Sequence, residues 1–287
     1  MIGIEMLGYE FIQRALLVGF LGGVTCSVVG VLVTCMRLSF SGVVISHAAF
    51  AGGIIAMFLG YNPLVGAFIF SLFAGAVIGP LSDRGELNPD TSLGIIFAVM
   101  IGLAFLFMGL MPDAEKIQAY SLIWGSILTI TDLDLKVMAL TFGIVVSVLI
   151  LFYKEIQATI FSREIALAVG LPASWILYGL LFLTGMTVTA TLQPIGGLLV
   201  FSLIITPAAT AYQLTYNLRH LFCLAAAFGV FSCWTGLLLS SLFALPSGAT
   251  IITLSSLFFL AVLALSPKRK VRRLSTLREV TNLDVPK

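Results

Sequence analysis

The sequence predicts an all-α fold: a polytopic helical membrane protein with about nine transmembrane helices. Three observations carry that prediction. Of 287 residues, 60% are hydrophobic and only 10% charged, a balance outside that of ordinary soluble domains. Uncharged apolar runs of about twenty residues recur from end to end, each long enough to cross ~30 Å of hydrocarbon as a helix. The short alternating strands of a membrane barrel are absent from the pattern. No polar stretch is long enough for a second domain, so residues 1–267 read as one transmembrane domain and 268–287 as a basic tail. Glu5 and Glu10, with no basic n-region, predict a first span that is retained rather than cleaved as a signal peptide.

Hydropathy places the spans near Ala15–Met36, Val43–Leu59, Pro63–Leu81, Ser92–Met111, Val137–Tyr153, Trp175–Ala190, Ile195–Tyr212, Leu221–Leu245 and Ala249–Leu265. Local punctuation agrees. Asn62-Pro63 opens one helix with proline in its first turn, Asp90-Thr91 can cap the next, and Pro246-Ser247-Gly248 turns between the last two. Tyr120–Ile130 is apolar but too short to cross, and reads as an interfacial or re-entrant segment. Nine spans put the termini on opposite sides. The run Lys268-Arg-Lys-Val-Arg-Arg273 then predicts a cytoplasmic C-terminus. Arg37, Arg84, Lys154, Arg163 and Arg219 fall on that same side, and only Arg14, Lys116 and Lys136 on the other or at its boundary. The four cysteines, Cys26, Cys35, Cys223 and Cys233, form no CxxC pair and read as buried packing.

Three segments carry chemistry. His47 is the one ionisable residue squarely inside an apolar span, and an intramembrane imidazole calls for a functional partner. Gly42, Ser46, Ala49 and Gly53 make a strip of small residues beside it, which predicts close approach by another helix and a histidine turned into the bundle. An interhelical hydrogen bond is the structural alternative for His47. Between the fifth and sixth spans, Ser162 can cap a short helix that Gly170 and Pro172 stop. Phe161, Ile165 and Val169 share a face of that helix, which needs either lipid headgroups or a protein partner. In Leu192–Ala211, Pro207 removes a backbone donor, so a kink or break is expected near Leu203–Pro207, with Ser202, Thr206 and Thr210 at hand for the freed carbonyl.

Together, Ser46-His47-Ala48 with Gly52-Gly53, the stretch Glu164–Pro172, and Gln193–Ala211 resemble the permease subunits of ABC importers for manganese, zinc and ferrous iron. The resemblance runs from Ala15 to Leu265. It implies a type II ABC-importer-like permease that works as a homodimer in the inner membrane, with two cytoplasmic ATPase subunits and an extracytoplasmic solute-binding protein. It further implies His47 as a metal ligand, with Ser46, Gln193 and Thr206 along the transport path. Glu164, Ala168 and Gly170 would belong to the helix that couples to the ATPase. The cargo is then a divalent metal ion, no cofactor is bound permanently, and ATP is used by the partner. The lipid bilayer, and no nucleic acid, surrounds the chain. No G-x-x-x-x-G-K-[ST] motif occurs, in agreement with nucleotide chemistry on another chain and with a subunit that is not itself an enzyme.

One position departs from the pattern. Manganese- and zinc-type relatives commonly carry an acid four residues before this histidine, and here that residue is Val43. His47 alone offers one nitrogen, or two if a twofold axis pairs it with its symmetry mate. Val43 keeps a second cargo open, a metal chelate or other small solute. A further alternative is an ATP-independent secondary transporter, against which stands the single intramembrane ionisable group. Asp113, Glu115, Asp132 and Asp134 lie in an outer loop and read either as a cation-attracting or docking surface or as a solvated acidic face.

Overall fold

In a computed structural model, which describes residues 10–84, 89–125 and 130–266, the chain is helical throughout and contains no strand among those residues. The basic tail from 268 onward lies outside them. In order, the helices are α1 Glu10–Cys35, α2 Ser39–Phe58, α3 Pro63–Arg84, α4 Pro89–Leu110, α5 Asp113–Trp124, α6 Asp132–Leu151, α7 Tyr153–Phe161, α8 Arg163–Ala168, α9 Ala173–Ile195, α10 Gly197–Leu214, α11 Leu218–Phe243 and α12 Ser247–Leu265. Eight of them are long and apolar enough to cross a membrane, and α3 adds a shorter apolar stretch over Pro63–Ile78. These nine alternate in direction between two ends of the bundle, called here the Glu10 end and the Cys35 end after the termini of α1.

The punctuation behaves much as composition dictates. Pro63 stands at the first position of α3, where its missing N–H costs nothing. α4 begins at Pro89, one residue ahead of the expected Asp90 cap. α6 begins five residues before the hydropathy boundary because Thr131 and Asp134 form a reciprocal capping box: the Asp134 N–H donates to Thr131 Oγ1 and the Thr131 N–H to Asp134 Oδ2. Of the apolar stretch Tyr120–Ile130, Tyr120 to Trp124 form the second half of α5, while 126–129 lie outside the described residues. α5 is a helix twelve residues long that packs Ala119 and Leu122 against the Glu10 ends of α2, α9 and α10.

α1 and α2 are the interior helices. Within the most apolar stretch of each, 78% of residues are buried, against 33% for α11 and 17% for α12. α1 packs on α6, α9, α10 and α11, while α2 packs on α3, α4, α9 and α10. Lipid tails are as apolar as leucine, so such contacts depend on close packing rather than on water. The closest crossing is that of α1 with α10: a Cβ on Gly30 would collide with the Ile204 carbonyl oxygen. Gly30→Val is therefore expected to destabilise the fold by ~1–3 kcal/mol or more. Gly143→Ala, at a site with no neighbouring atom within 4 Å, should be neutral or stabilising by up to ~1 kcal/mol. Unfolding in detergent compares them, and equal stability of the two variants would refute this account of the crossing.

Candidate functional site

The small-residue strip of α2 is buried along its whole length, with Ser46 1% and Ala49 0% exposed. Gly42 faces Ile204 of α10, and Gly53 faces Leu122 of α5. The tightest contact on α2 is one residue over, where Gly52 and Gly66 of α3 meet so closely that a Cβ on either would clash with the other's carbonyl. His47 does not follow the strip into the interior. It is part-buried at the seam with α4, where its ring meets Phe97 edge-on at 4.7 Å between centroids.

The imidazole has one fixed hydrogen bond, with Nδ1 2.9 Å from the Val43 carbonyl oxygen. A carbonyl only accepts, so Nδ1 carries the proton, and the neutral ring presents a lone pair at Nε2. That tautomer is the one suited to coordinate a metal through Nε2. The interhelical hydrogen bond weighed as the structural alternative is not formed, because the ring bonds within its own helix.

The remaining path candidates are not gathered around His47. Ser46 donates to the Gly42 carbonyl at 2.8 Å, again within its own turn. Thr206 is half-buried on α10 with its hydroxyl 3.4 Å from that of Ser202, and Thr210 donates to the Thr206 carbonyl. Gln193 stands in the last turn of α9, at the Glu10 end, whereas Ser46 and His47 occupy the half of α2 nearer the Cys35 end. Among the described residues, no group of three or more His, Cys, Asp or Glu side chains is placed to hold a metal ion.

Of the kink or break expected near Leu203–Pro207, the break is absent, since α10 runs continuously from Gly197 to Leu214 with Pro207 inside it. The carbonyl that proline leaves without its helical donor belongs to Leu203. Ser27 of α1 approaches it at 3.5 Å, a partner from another helix rather than the local hydroxyls the sequence suggested. The discontinuity falls instead at Gly196, between α9 and α10, with φ +92°. There it lies against Gly125, itself at φ +75°, and a Cβ on either residue would collide with the other's backbone.

Most of the acids at the Glu10 end, expected in an outer loop, have local work. Asp132 pairs with Arg14 at 2.9 Å, and Asp134 serves the α6 cap. Asp113 bonds Lys116 at 2.7 Å, and that ammonium holds its carboxyl below the ordinary value.

At the Cys35 end the Ser162 cap and the Gly170 stop are formed as expected, but the helix is shorter than the expected stripe. Phe161 ends α7, extended Ser162 separates it from α8, and Val169 caps α8, so only Ile165 of the three lies within it. The Ser162 hydroxyl accepts the Ile165 N–H, and Gly170 takes φ +84° just past the helix. Ala166 is buried beneath, and Arg163 donates to the Ser174 hydroxyl at 3.0 Å. Phe161, Ile165 and Val169 are exposed at 82%, 57% and 73%. Glu164, Ala168 and Gly170 share that exposed surface. Beside α8 opens a cleft of about 940 Å³ whose walls include Arg37, Gln157 and Tyr216. Sequence reasoning missed this cleft, because its walls come from three turns that are distant in the chain.

Among the described residues, eight helices long and apolar enough to cross a membrane, a shorter ninth apolar stretch and a short surface helix that interrupts the series at one end make an all-helical polytopic membrane body. The ABC 3 transport family matches residues 8–266, and the chain belongs to that family. It is similar to the manganese transport system membrane protein MntC of Halalkalibacterium halodurans, 33% identical over 270 residues, covering 93% of this chain and 91% of that one. It is also similar to the chelated iron transport system membrane protein YfeD of Yersinia pestis, 27% identical over 280 residues, covering 97% and 94%. Among solved structures, PsaBC from Streptococcus pneumoniae in complex with Fab superposes with a TM-score of 0.84 at 26% identity, covering 96% of this chain and all of that one.

The Val43 contact predicts that neutral His47 is the Nδ1–H tautomer. Side-chain ¹⁵N spectra of histidine-labelled protein, with His220→Gln to remove the second signal, should show it. An Nε2–H spectrum would remove the basis for coordination through Nε2.

Proposed function

We propose that this chain is the permease subunit of an ATP-driven importer that moves a divalent transition metal ion, zinc, manganese or iron, into the cytoplasm. The observation that carries this reading is the exposed apolar face of α8, held from beneath by Ala166 and by the bond from Arg163 to Ser174. An exposed apolar face on a pinned helix needs lipid headgroups or a protein partner, and on this reading it is a protein. In a permease without a nucleotide-binding motif, that partner is a separate ATPase subunit. Glu164, Ala168 and Gly170 lie within its footprint. The Cys35 end carries Arg37, Lys154, Arg163 and Arg219, and the Glu10 end only Arg14, Lys116 and Lys136, which supports a cytoplasmic Cys35 end and C-terminus in an inner membrane.

On this reading the body, 1–267, works as a homodimer supplied by an extracytoplasmic binding protein, and the tail 268–287 anchors the cytoplasmic face. His47 is a path ligand through Nε2, a weak one that a twofold axis would pair with its symmetry mate. Ser46, Thr206 and Gln193 are path residues at successive depths. The two relatives, one a manganese and one a chelated iron transport system membrane protein, support a transition-metal cargo and leave the ion open. Val43 favours a second reading, in which the cargo is a metal chelate or other small solute, because a buried valine supplies no ligand where a carboxylate would complete a site.

Radiometal uptake by cells expressing the transporter separates these readings. His47→Ala should lower uptake by tenfold or so if a coordinating contact of ~1.4 kcal/mol is lost from the path. Undiminished transport of every metal would end the ligand assignment. Val43→Asp should shift the preference among manganese, zinc and iron, and an unchanged preference would favour the chelate. Ile165→Asp with Val169→Asp should abolish co-purification of the ATPase. A permease active in liposomes without ATP or an ATPase chain would instead be a secondary transporter.

A further inference from the structure

A second groove opens at the Cys35 end, away from α8, with a volume of about 800 Å³ between α6, α7 and α11 and with Val28 of α1 at its back. Its walls are apolar, including Leu149, Ile150, Phe222 and Ala226. Its rim is charged. Lys154 and Arg219 both line it, and the Arg219 guanidinium lies 5.4 Å from the centroid of the Tyr153 ring. The three ion pairs among the described residues, Arg14–Glu10, Arg14–Asp132 and Lys116–Asp113, are all at the Glu10 end and engage neither cation. Glu155 lines the same groove, with one carboxyl oxygen buried and without a hydrogen-bond partner. The rim therefore sets two cations against one carboxylate.

From these features we infer that the groove is a binding site for a monoanionic phospholipid, phosphatidylglycerol, with its phosphate between Lys154 and Arg219 and an acyl chain along Leu149, Phe222 and Ala226. The charge argument selects the headgroup: a net single positive rim is neutralised by one phosphodiester, whereas a zwitterionic headgroup leaves it uncompensated. The position selects a lipid. Tyr153 starts the helix that follows membrane-spanning α6, and Arg219 is in the first turn of membrane-spanning α11, so both cations sit at the headgroup level of helices whose next turns are apolar. From Arg219 to Ala226 the groove descends about 10 Å, two turns into the hydrocarbon, deeper than a soluble anion reaches.

Native mass spectrometry of the full chain in detergent tests this with phosphatidylglycerol and phosphatidylcholine of identical acyl chains. Wild-type protein should retain phosphatidylglycerol preferentially. Lys154→Gln and Arg219→Gln should each reduce that preference about fivefold, and the double variant should show almost none. Equal retention of the two lipids, or an undiminished preference in a folded double variant, overturns the site. Exposed Cys223 lies in the groove and gives a local readout in otherwise wild-type protein. Its maleimide labelling should slow on addition of phosphatidylglycerol and not of phosphatidylcholine. Protection that follows protein concentration in lipid-free detergent would assign the groove to a second copy, and protection only by an added ATPase would assign it to that subunit. Either result overturns the proposal.

Discussion

The crossing of α1 and α10 sets the frame for everything else in the bundle. Lipid does not drive helices together, so two of them lock only where their backbones come close enough for dense packing. Gly30 supplies that proximity against Ile204, and the same approach brings Ser27 to the Leu203 carbonyl that Pro207 leaves without a donor. One small residue and one hydroxyl on α1 thus permit a proline inside an unbroken membrane helix. Ile204 also faces Gly42, so α2 takes its position from the same point on α10. The level of Ser46 and His47 relative to Ser202 and Thr206 follows from that three-helix junction.

The two ends are finished in different ways. At the Glu10 end, α5 is tucked over α2, α9 and α10, the Gly125–Gly196 contact closes the α9–α10 turn, and Arg14 ties α1 to α6 through Asp132 and the Ile130 carbonyl. The exposed ion pairs contribute little to stability; they fix register. At the Cys35 end, apolar side chains of α8 stand in the open and two grooves remain. Under the proposed function the permease exchanges force with another protein at one face while holding its helices together at the other, and this asymmetry suits that division.

Much of this was legible in the chain. The eight long apolar helices and the shorter one at Pro63, the Ser162 cap and the Gly170 stop all follow from local rules: length of an apolar run, a hydroxyl before a helix, glycine where φ turns positive. What escaped depended on partners distant in sequence. Pro207 looks like a breaker until Ser27, nearly two hundred residues earlier, is placed beside it. Tyr120 to Trp124 look like part of an isolated apolar segment because the polar first turn of α5, Asp113 to Lys116, hides the helix they complete. His47 borders the small-residue strip in sequence, yet the side-chain direction that buries Ser46 and Ala49 leaves the next position at the α4 seam.

That placement alters what Val43 means. A carboxylate at position 43 would be one helical turn from the imidazole, and the turn between them is already used: the Val43 carbonyl holds Nδ1 and so keeps Nε2 free. The backbone therefore supplies orientation whatever the side chain at 43 is, and only the second ligand is lost. A single oriented nitrogen binds a divalent ion weakly, and a path needs weak binding because the ion has to leave. Under the proposed function, then, discrimination among metals falls to the delivery protein and to whatever the symmetry mate adds, while His47 lowers the barrier for an ion already chosen. The partial exposure of the ring at the seam of α2 and α4, rather than its burial in the α1–α2–α10 core, is what leaves Nε2 available for that task.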